Sequence, residues 1–299
     1  MNIEAGSWVG PRRRAARSAV RWAVMSILWG ATVAGAQVDL VYLGNEGFLL
    51  EAGETRVLVD ALYGDGLKGY PVVPKEIRES LETGEGPFGG VDLVLATHHH
   101  SDHFRAEPVA RFLRAQPEAR FVSTRQAVEA VLALDAGLRD RLQGFWPNPG
   151  ERKSLAFEGL ELEILRLHHG KNRRPEIQNL GFVLELGGVR LLHVGDTEVS
   201  VDDVAPYALD RSRLDVALLP TWHYSADNHG VNELLGKVQR VVMHVAAEDA
   251  PAGYFYPAET LEDLLRVLGK TYPKAWVPTR ALDRRTFRSR NVPAAGGDR

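Results

Sequence analysis

Apolar residues recur along this chain in short blocks separated by glycine and polar breaks. Residues 38–43, 47–52 and 56–61 are three such blocks, divided by Gly44-Asn45 and Gly53-Glu54, and the spacing predicts a meander of antiparallel strands. A looser stretch over 63–90 carries helical periodicity only near 75–81. Residues 91–97, Val-Asp-Leu-Val-Leu-Ala-Thr, form a nearly unbroken apolar run that fits a buried strand. Helical patterns over 107–114 and 124–134, with a strand at 119–123 between them, then give a β-α-β-α passage. The second half predicts strands at 155–157, 161–167, 181–186, 189–193, 214–219 and 240–244, with Gly187-Gly188 as a hairpin turn and an amphipathic helix at 259–268. No internal repeat and no Pro/Ser-rich linker divides the chain. One α/β domain of two packed sheets with outer helices accounts for this order of elements.

The first 36 residues break the pattern. Arg12, Arg13, Arg14, Arg17 and Arg21 stand against a single acid, Glu4, and an uncharged apolar run from Trp22 to Ala36 ends in Ala34-Gly35-Ala36. A basic flank, a short apolar stretch and a small-x-small ending describe a secretory signal peptide. The run is short for a membrane span, and Gly30, Thr32 and Gly35 dilute it. The sequence therefore predicts cleavage after Ala36, a periplasmic or secreted product and no stable membrane span in it. The expected organisation is a signal peptide over 1–36, one domain over 37–290 and a frayed tail over 291–299.

Charge and composition then narrow the chemistry. Of 299 residues, 44% are hydrophobic and 25% charged, as in an ordinary globular protein. Setting aside the signal leaves 31 basic and 38 acidic side chains, a formal charge of −7 that disfavours nucleic-acid binding. The chain has no cysteine, which excludes disulfides, thiolate zinc sites and a catalytic thiol. Ten histidines remain, and four of them, His98, His99, His100 and His103, fall within six residues.

That cluster reads His-x-His-x-Asp-His. In an extended segment, residues two apart project to one side, so His98 and His100 can grip one cation. Asp102 and His103 follow as the chain turns and can reach a second. Further ligands are available just past later apolar runs: His168 or His169, Asp196 in Gly195-Asp196-Thr197, and His244. Strand alternation sends His168 and His169 to opposite sides. His99 and His193 read as structural, and Asp60, after Val57-Leu58-Val59, as a buried acid supporting the ligands.

These motifs resemble those of metallo-β-lactamase-fold hydrolases, and most closely the ascorbate-phosphate-lactonase-like group, over residues 38–280. The resemblance implies an αββα sandwich of two mixed sheets with metals at one edge. It implies that His98, His100 and His169 bind a first zinc, that Asp102, His103 and His244 bind a second, and that Asp196 bridges them. Two divalent cations facing two carboxylates and a bridging hydroxide leave one positive charge to favour an anionic transition state. Nitrogen and oxygen donors suit Zn2+, with Fe or Mn as alternatives.

The loop Thr221-Trp222-His223-Tyr224 through His229 approaches the metals in that fold, so His223 and Tyr224 join Asp102 as catalytic candidates; packing of the loop's aromatics on the sheet edge is the competing reading. Lys171, Asn172, Arg173 and Arg174 offer a small anionic substrate a partner or form a solvated loop. The expected function is an exported zinc-dependent hydrolase attacking an ester, lactone, amide or phosphoester of a small molecule. A β-lactamase and a non-catalytic metal-binding module are the alternatives.

Overall fold

The computed structural model describes residues 36–170, 174–198, 200–209, 213–225, 230–251 and 253–290. The expected signal peptide over 1–36, apart from Ala36, lies outside the described residues, as do Lys171, Asn172, Arg173, His229 and the expected 291–299 tail.

Strands β1 (Gln37–Gly44), β2 (Gly47–Ala52) and β3 (Thr55–Val59) form the antiparallel meander that the Gly-containing breaks predict. Helix α1 (Lys75–Thr83) carries the chain to β4 (Leu93–Leu95), which lies parallel to β3. Helix α2 (Ala106–Ala115), β5 (Arg120–Thr124), α3 (Arg125–Leu134) and β6 (Leu142–Phe145) continue with parallel pairing. The α3 start is fixed by Thr124, whose hydroxyl accepts the Ala127 N–H at 3.2 Å.

Strands β7 (Arg152–Phe157), β8 (Leu160–His168), β9 (Gln178–Leu186) and β10 (Val189–His193) build the second sheet by antiparallel pairing, with Gly187-Gly188 turning β9 into β10. After the single-turn α4 (Val201–Val204), β11 (Val216–Pro220) pairs parallel with β10; beyond α5 (Gly230–Leu235), β12 (Gln239–Met243) pairs parallel with β11. Helix α6 (Leu261–Thr271) then leads to β13 (Arg284–Arg288), which crosses back to pair antiparallel with β1. The sheet orders are β13-β1-β2-β3-β4-β5-β6 and β12-β11-β10-β9-β8-β7. This is the mixed two-sheet α/β architecture that the resemblance implies.

Both faces of the first sheet are covered, and for that reason its strands are nearly continuously apolar. In β1, Val38, Leu40 and Tyr42 enter the apolar cluster shared with Leu162, Ile164, Phe182 and Leu184 of the second sheet. Val41 and Leu43 alternate to the other side, where Leu81 of α1, Phe112 of α2 and Val131 of α3 pack. Among the described residues, no helix is long and apolar enough to cross a membrane.

Strand direction decides where the chemistry can sit. β3, β4 and β5 run parallel in one sheet. In the other, β8 and β10 both oppose β9 and so run alike, and β11 and β12 run with them. The strands of each group therefore finish together, and the chain segments leaving β3, β4, β8, β10, β11 and β12 are Asp60, residues 97–103, His169, Asp196, residues 221–225 and His244.

Candidate metal centre

Those segments converge. His98, His100, His169 and Asp196 each offer a ligand atom within 4.8 Å of the others, and so do Asp102, His103, Asp196 and His244. The structure brings together all seven residues that the resemblance puts at the metals. Asp196 belongs to both groups: its Oδ2 lies 3.8 Å from His98 Nε2 and 3.6 Å from His169 Nε2, while its Oδ1 lies 3.2 Å from His103 Nε2 and 3.6 Å from His244 Nε2. Asp102 Oδ2 is 3.5 Å from His103 Nε2 and 3.7 Å from His244 Nε2. The neighbouring His168 faces elsewhere, with its Nε2 3.8 Å from Asp203.

The donor set fits divalent ions. His98 Nε2, His103 Nε2, His169 Nε2 and Asp196 Oδ1 are buried without a hydrogen-bond partner among the described residues, a costly arrangement unless something cationic is shared between them. Burial and then His103 hold His98 well below the ordinary imidazole range, and burial with His169 brings His100 down to about 4. Both are then neutral, the form that ligates. Burial opposes charge on His103, yet Asp196 and Asp60 hold it well above its ordinary value. The space between Asp102, His103 and Asp196 thus draws positive charge, which a divalent ion supplies.

The imidazoles are aimed from behind. Asp60 accepts three hydrogen bonds, from Thr97 N (2.7 Å), Thr97 Oγ1 (2.6 Å) and His103 Nδ1 (2.9 Å). His103 therefore keeps its proton on Nδ1, so a cation that displaces the other proton finds the Nε2 lone pair aimed into the centre. Thr97 Oγ1, its proton given to Asp60, can accept from His98 Nδ1 at 3.1 Å, which fixes the same tautomer there. Asn45 Nδ2 donates to Asp102 Oδ2 at 3.1 Å. Asn45, Asp60 and His244 all hold positive φ, between 45° and 54°, a strain of roughly 1–3 kcal/mol each that the surrounding packing sustains. Asp60→Asn removes one acceptor oxygen from a carboxylate that accepts three hydrogen bonds. It should weaken metal affinity about 10–100-fold with the fold retained, as measured by competition against a colorimetric zinc chelator.

Other sequence candidates are engaged elsewhere than in the two ligand groups. The His223 Nε2 donates to the Thr197 carbonyl at 2.8 Å, and burial lowers its pKa to about 4. Tyr224 packs its ring on Tyr272, and its buried hydroxyl has no partner among the described residues. His193 accepts the Gly195 N–H on Nδ1 (3.2 Å), so its Nε2–H donates to the Glu46 carbonyl (3.3 Å); it holds the loop that carries Asp196.

Two features go beyond the sequence reading: the burial of Glu46 and the contact of two aromatic rings with His244. Glu46 is fully buried, 4.0 Å from His103 Nδ1, and burial with the Asp196 charge pushes its carboxyl well above the usual range. An acid between two glycine-bounded strands reads as a solvated turn, and only the turn's inward fold under His193 places it otherwise. Tyr70 and Trp222 pack their rings on His244, at 4.3 and 4.8 Å between centroids. Tyr70 sits in a stretch without periodicity, which gives no local sign of its destination.

The chain matches the family model described as a β-lactamase superfamily domain over residues 39–244. It is 28% identical to a UPF0173 metal-dependent hydrolase of Thermoplasma acidophilum over 209 residues, covering 69% of this chain and 80% of the relative. A UPF0173 metal-dependent hydrolase of Thermus thermophilus is 31% identical over 189 residues, covering 61% and 70%. A metallo hydrolase from Ignicoccus hospitalis superposes with a TM-score of 0.54 at 21% identity, covering 85% of this chain and 99% of that one. A metallo-β-lactamase fold protein from Bacillus subtilis gives 0.57 at 12% identity, covering 84% and 99%. With the family model spanning most of the domain, the chain belongs to the β-lactamase superfamily, among its metal-dependent hydrolases.

Proposed function

We propose that this hydrolase is exported, holds two zinc ions and cleaves an ester, lactone, amide or phosphoester of a small molecule. The observation that carries the reading is the position of Asp196, shared between two complete ligand groups. His98, His100, His169 and Asp196 would hold one ion and Asp102, His103, His244 and Asp196 the other. A bound pair supplies a Lewis acid and lowers the pKa of water toward ~7, giving a nucleophile at neutral pH. The protein's own part is orientation: Asp60 and Thr97 fix the ring tautomers, and Asn45 holds Asp102. Histidines and carboxylates without thiolate favour zinc over softer ions.

Export rests on the basic and apolar pattern of residues 1–36, and the start of β1 at Gln37, directly after the expected cleavage point, supports it. The anionic character expected of the substrate rests on 171–174, of which Arg174 alone is described and is exposed.

The test combines three measurements on protein recovered from the periplasm. Its mass should correspond to a chain beginning at Gln37, and elemental analysis should find two zinc ions per chain. A panel of lactones, thioesters, phosphodiesters and nitrocefin should show turnover that chelation abolishes and zinc restores. One iron per chain would overturn the zinc assignment, nitrocefin as the best substrate would favour a β-lactamase, and tight zinc with no turnover would favour a binding module.

A further inference from the structure

Three aromatic side chains stand beside the second ligand group, each on a different loop. Tyr70 meets the His244 ring edge-on at 4.3 Å and 72°, Trp222 meets it at 4.8 Å and 61°, and Tyr254 lies 5.8 Å from Tyr70. All three are half-buried rather than closed over, so part of each ring remains open.

The rings are held in place. Trp222 Nε1 donates to the Thr197 carbonyl at 2.8 Å, which stops the indole from turning. The loop bearing Tyr70 is tied on two sides: Ala247 N–H donates to the Gly69 carbonyl at 2.9 Å, and Ser101 Oγ of the histidine-rich turn donates to the Gly66 carbonyl at 3.2 Å. Gly69, at φ +89°, has no side chain because the Tyr254 ring fills that space; an added Cβ would stand 2.3 Å from it. This wall is built before a ligand arrives, which lowers the entropic cost of binding.

The Tyr70 hydroxyl has no hydrogen-bond partner among the described residues. Flat apolar faces with a polar tip take planar aromatic groups by offset or edge-to-face packing.

We infer that Tyr70, Trp222 and Tyr254 form the substrate-binding wall of the site, and that the substrate carries an aromatic group that packs on it. The inference rests on the hydrolase reading for the scissile bond alone; the wall itself can be tested without turnover.

Two experiments on the zinc-loaded protein decide it. In the first, hydrolysis of the aryl lactone dihydrocoumarin is compared with that of the alkyl lactone δ-valerolactone, and the ratio of the two kcat/KM values is followed across variants. Tyr70→Leu should lower that ratio about tenfold, from the aromatic pairing it removes. Tyr70→Phe should leave the ratio near that of the unaltered protein, and Trp222→Leu should shift it in the same direction as Tyr70→Leu. An unchanged ratio in both leucine variants overturns the inference. The second experiment needs no catalysis: saturation-transfer NMR with benzamide and with cyclohexanecarboxamide. Transfer to benzamide alone, lost in Tyr70→Leu and kept in Tyr70→Phe, supports the wall even if neither lactone is cleaved, an outcome that would count against the hydrolase reading only. Equal transfer to both amides, or transfer indifferent to Tyr70, rejects it.

Discussion

Asp196→Ala should lower the metal content from the proposed two ions per chain to one or fewer and cut kcat/KM by about 10³-fold or more, with the far-UV circular dichroism unchanged. Ligand-supporting residues alone are typically worth 10–100-fold, and Asp196 stands in the centre rather than behind it. Its two oxygens divide four imidazoles, His98 and His169 on one side and His103 and His244 on the other, at 3.2–3.8 Å. Burial alone would raise its pKa, but His103 and then His244 hold it well below the ordinary carboxylate range, so it is ionised at every pH of interest. Alanine removes the single group that both ligand sets share. The fold should persist because Asp196 lies beyond the end of β10, and the strand keeps its pairing to β9 and β11 without it. Elemental analysis and steady-state kinetics check this together, and a variant with two ions and undiminished turnover would refute the sharing.

The second large effect comes from a residue with no functional group. Gly195→Ala should cost about 2–5 kcal/mol of stability and lower activity on the order of 100-fold. Gly195 holds φ +59°, where an L side chain is strained, and an added Cβ would lie 2.6 Å from Asn179 Oδ1 and 2.7 Å from Thr97 Cβ. Neither neighbour can yield freely: Asn179 Nδ2 donates to the Val194 carbonyl, and Thr97 donates to Asp60 through both its N–H and its hydroxyl. The methyl group would therefore displace the segment that carries Asp196 and the residue that sets the His98 tautomer. A thermal melt should fall by roughly 10 °C. An alanine variant matching the original protein in melting temperature and kcat/KM would show that the loop is more compliant than its contacts indicate.

How much of this is legible in the sequence depends on whether each signal is local. The meander 38–61 reads correctly because its breaks are glycines and its blocks are apolar on both faces. The Gly187-Gly188 hairpin and the helices near 107–114, 124–134 and 259–268 also fall within a few residues of those observed. β13 is invisible because Arg284-Arg285-Thr286-Phe287-Arg288 holds one apolar residue; it is an edge strand whose outward positions are charged, and its partner β1 lies at the far end of the chain. β6 is only four residues long and contains Gln143 and Gly144. At the candidate site, the histidine-rich turn and Gly195-Asp196-Thr197 stand out because their residue types are unusual at a strand end. Strand alternation leaves His168 and His169 open and the resemblance selects His169, while Glu46 and Tyr70 reach the centre only through tertiary folding; Trp222 lies in the 221–229 loop that the resemblance brings to the metals.

The candidate ligands are drawn from both halves of the sandwich: His98, His100, Asp102 and His103 leave β4 of one sheet, whereas His169, Asp196 and His244 leave β8, β10 and β12 of the other. A pair of ions seated there would act as a rivet through the open rim, where the apolar filling between the layers gives out. Demetallated protein should consequently splay first at that rim, with amide exchange accelerating in the segments after β4 and β10 while the middles of the strands stay protected.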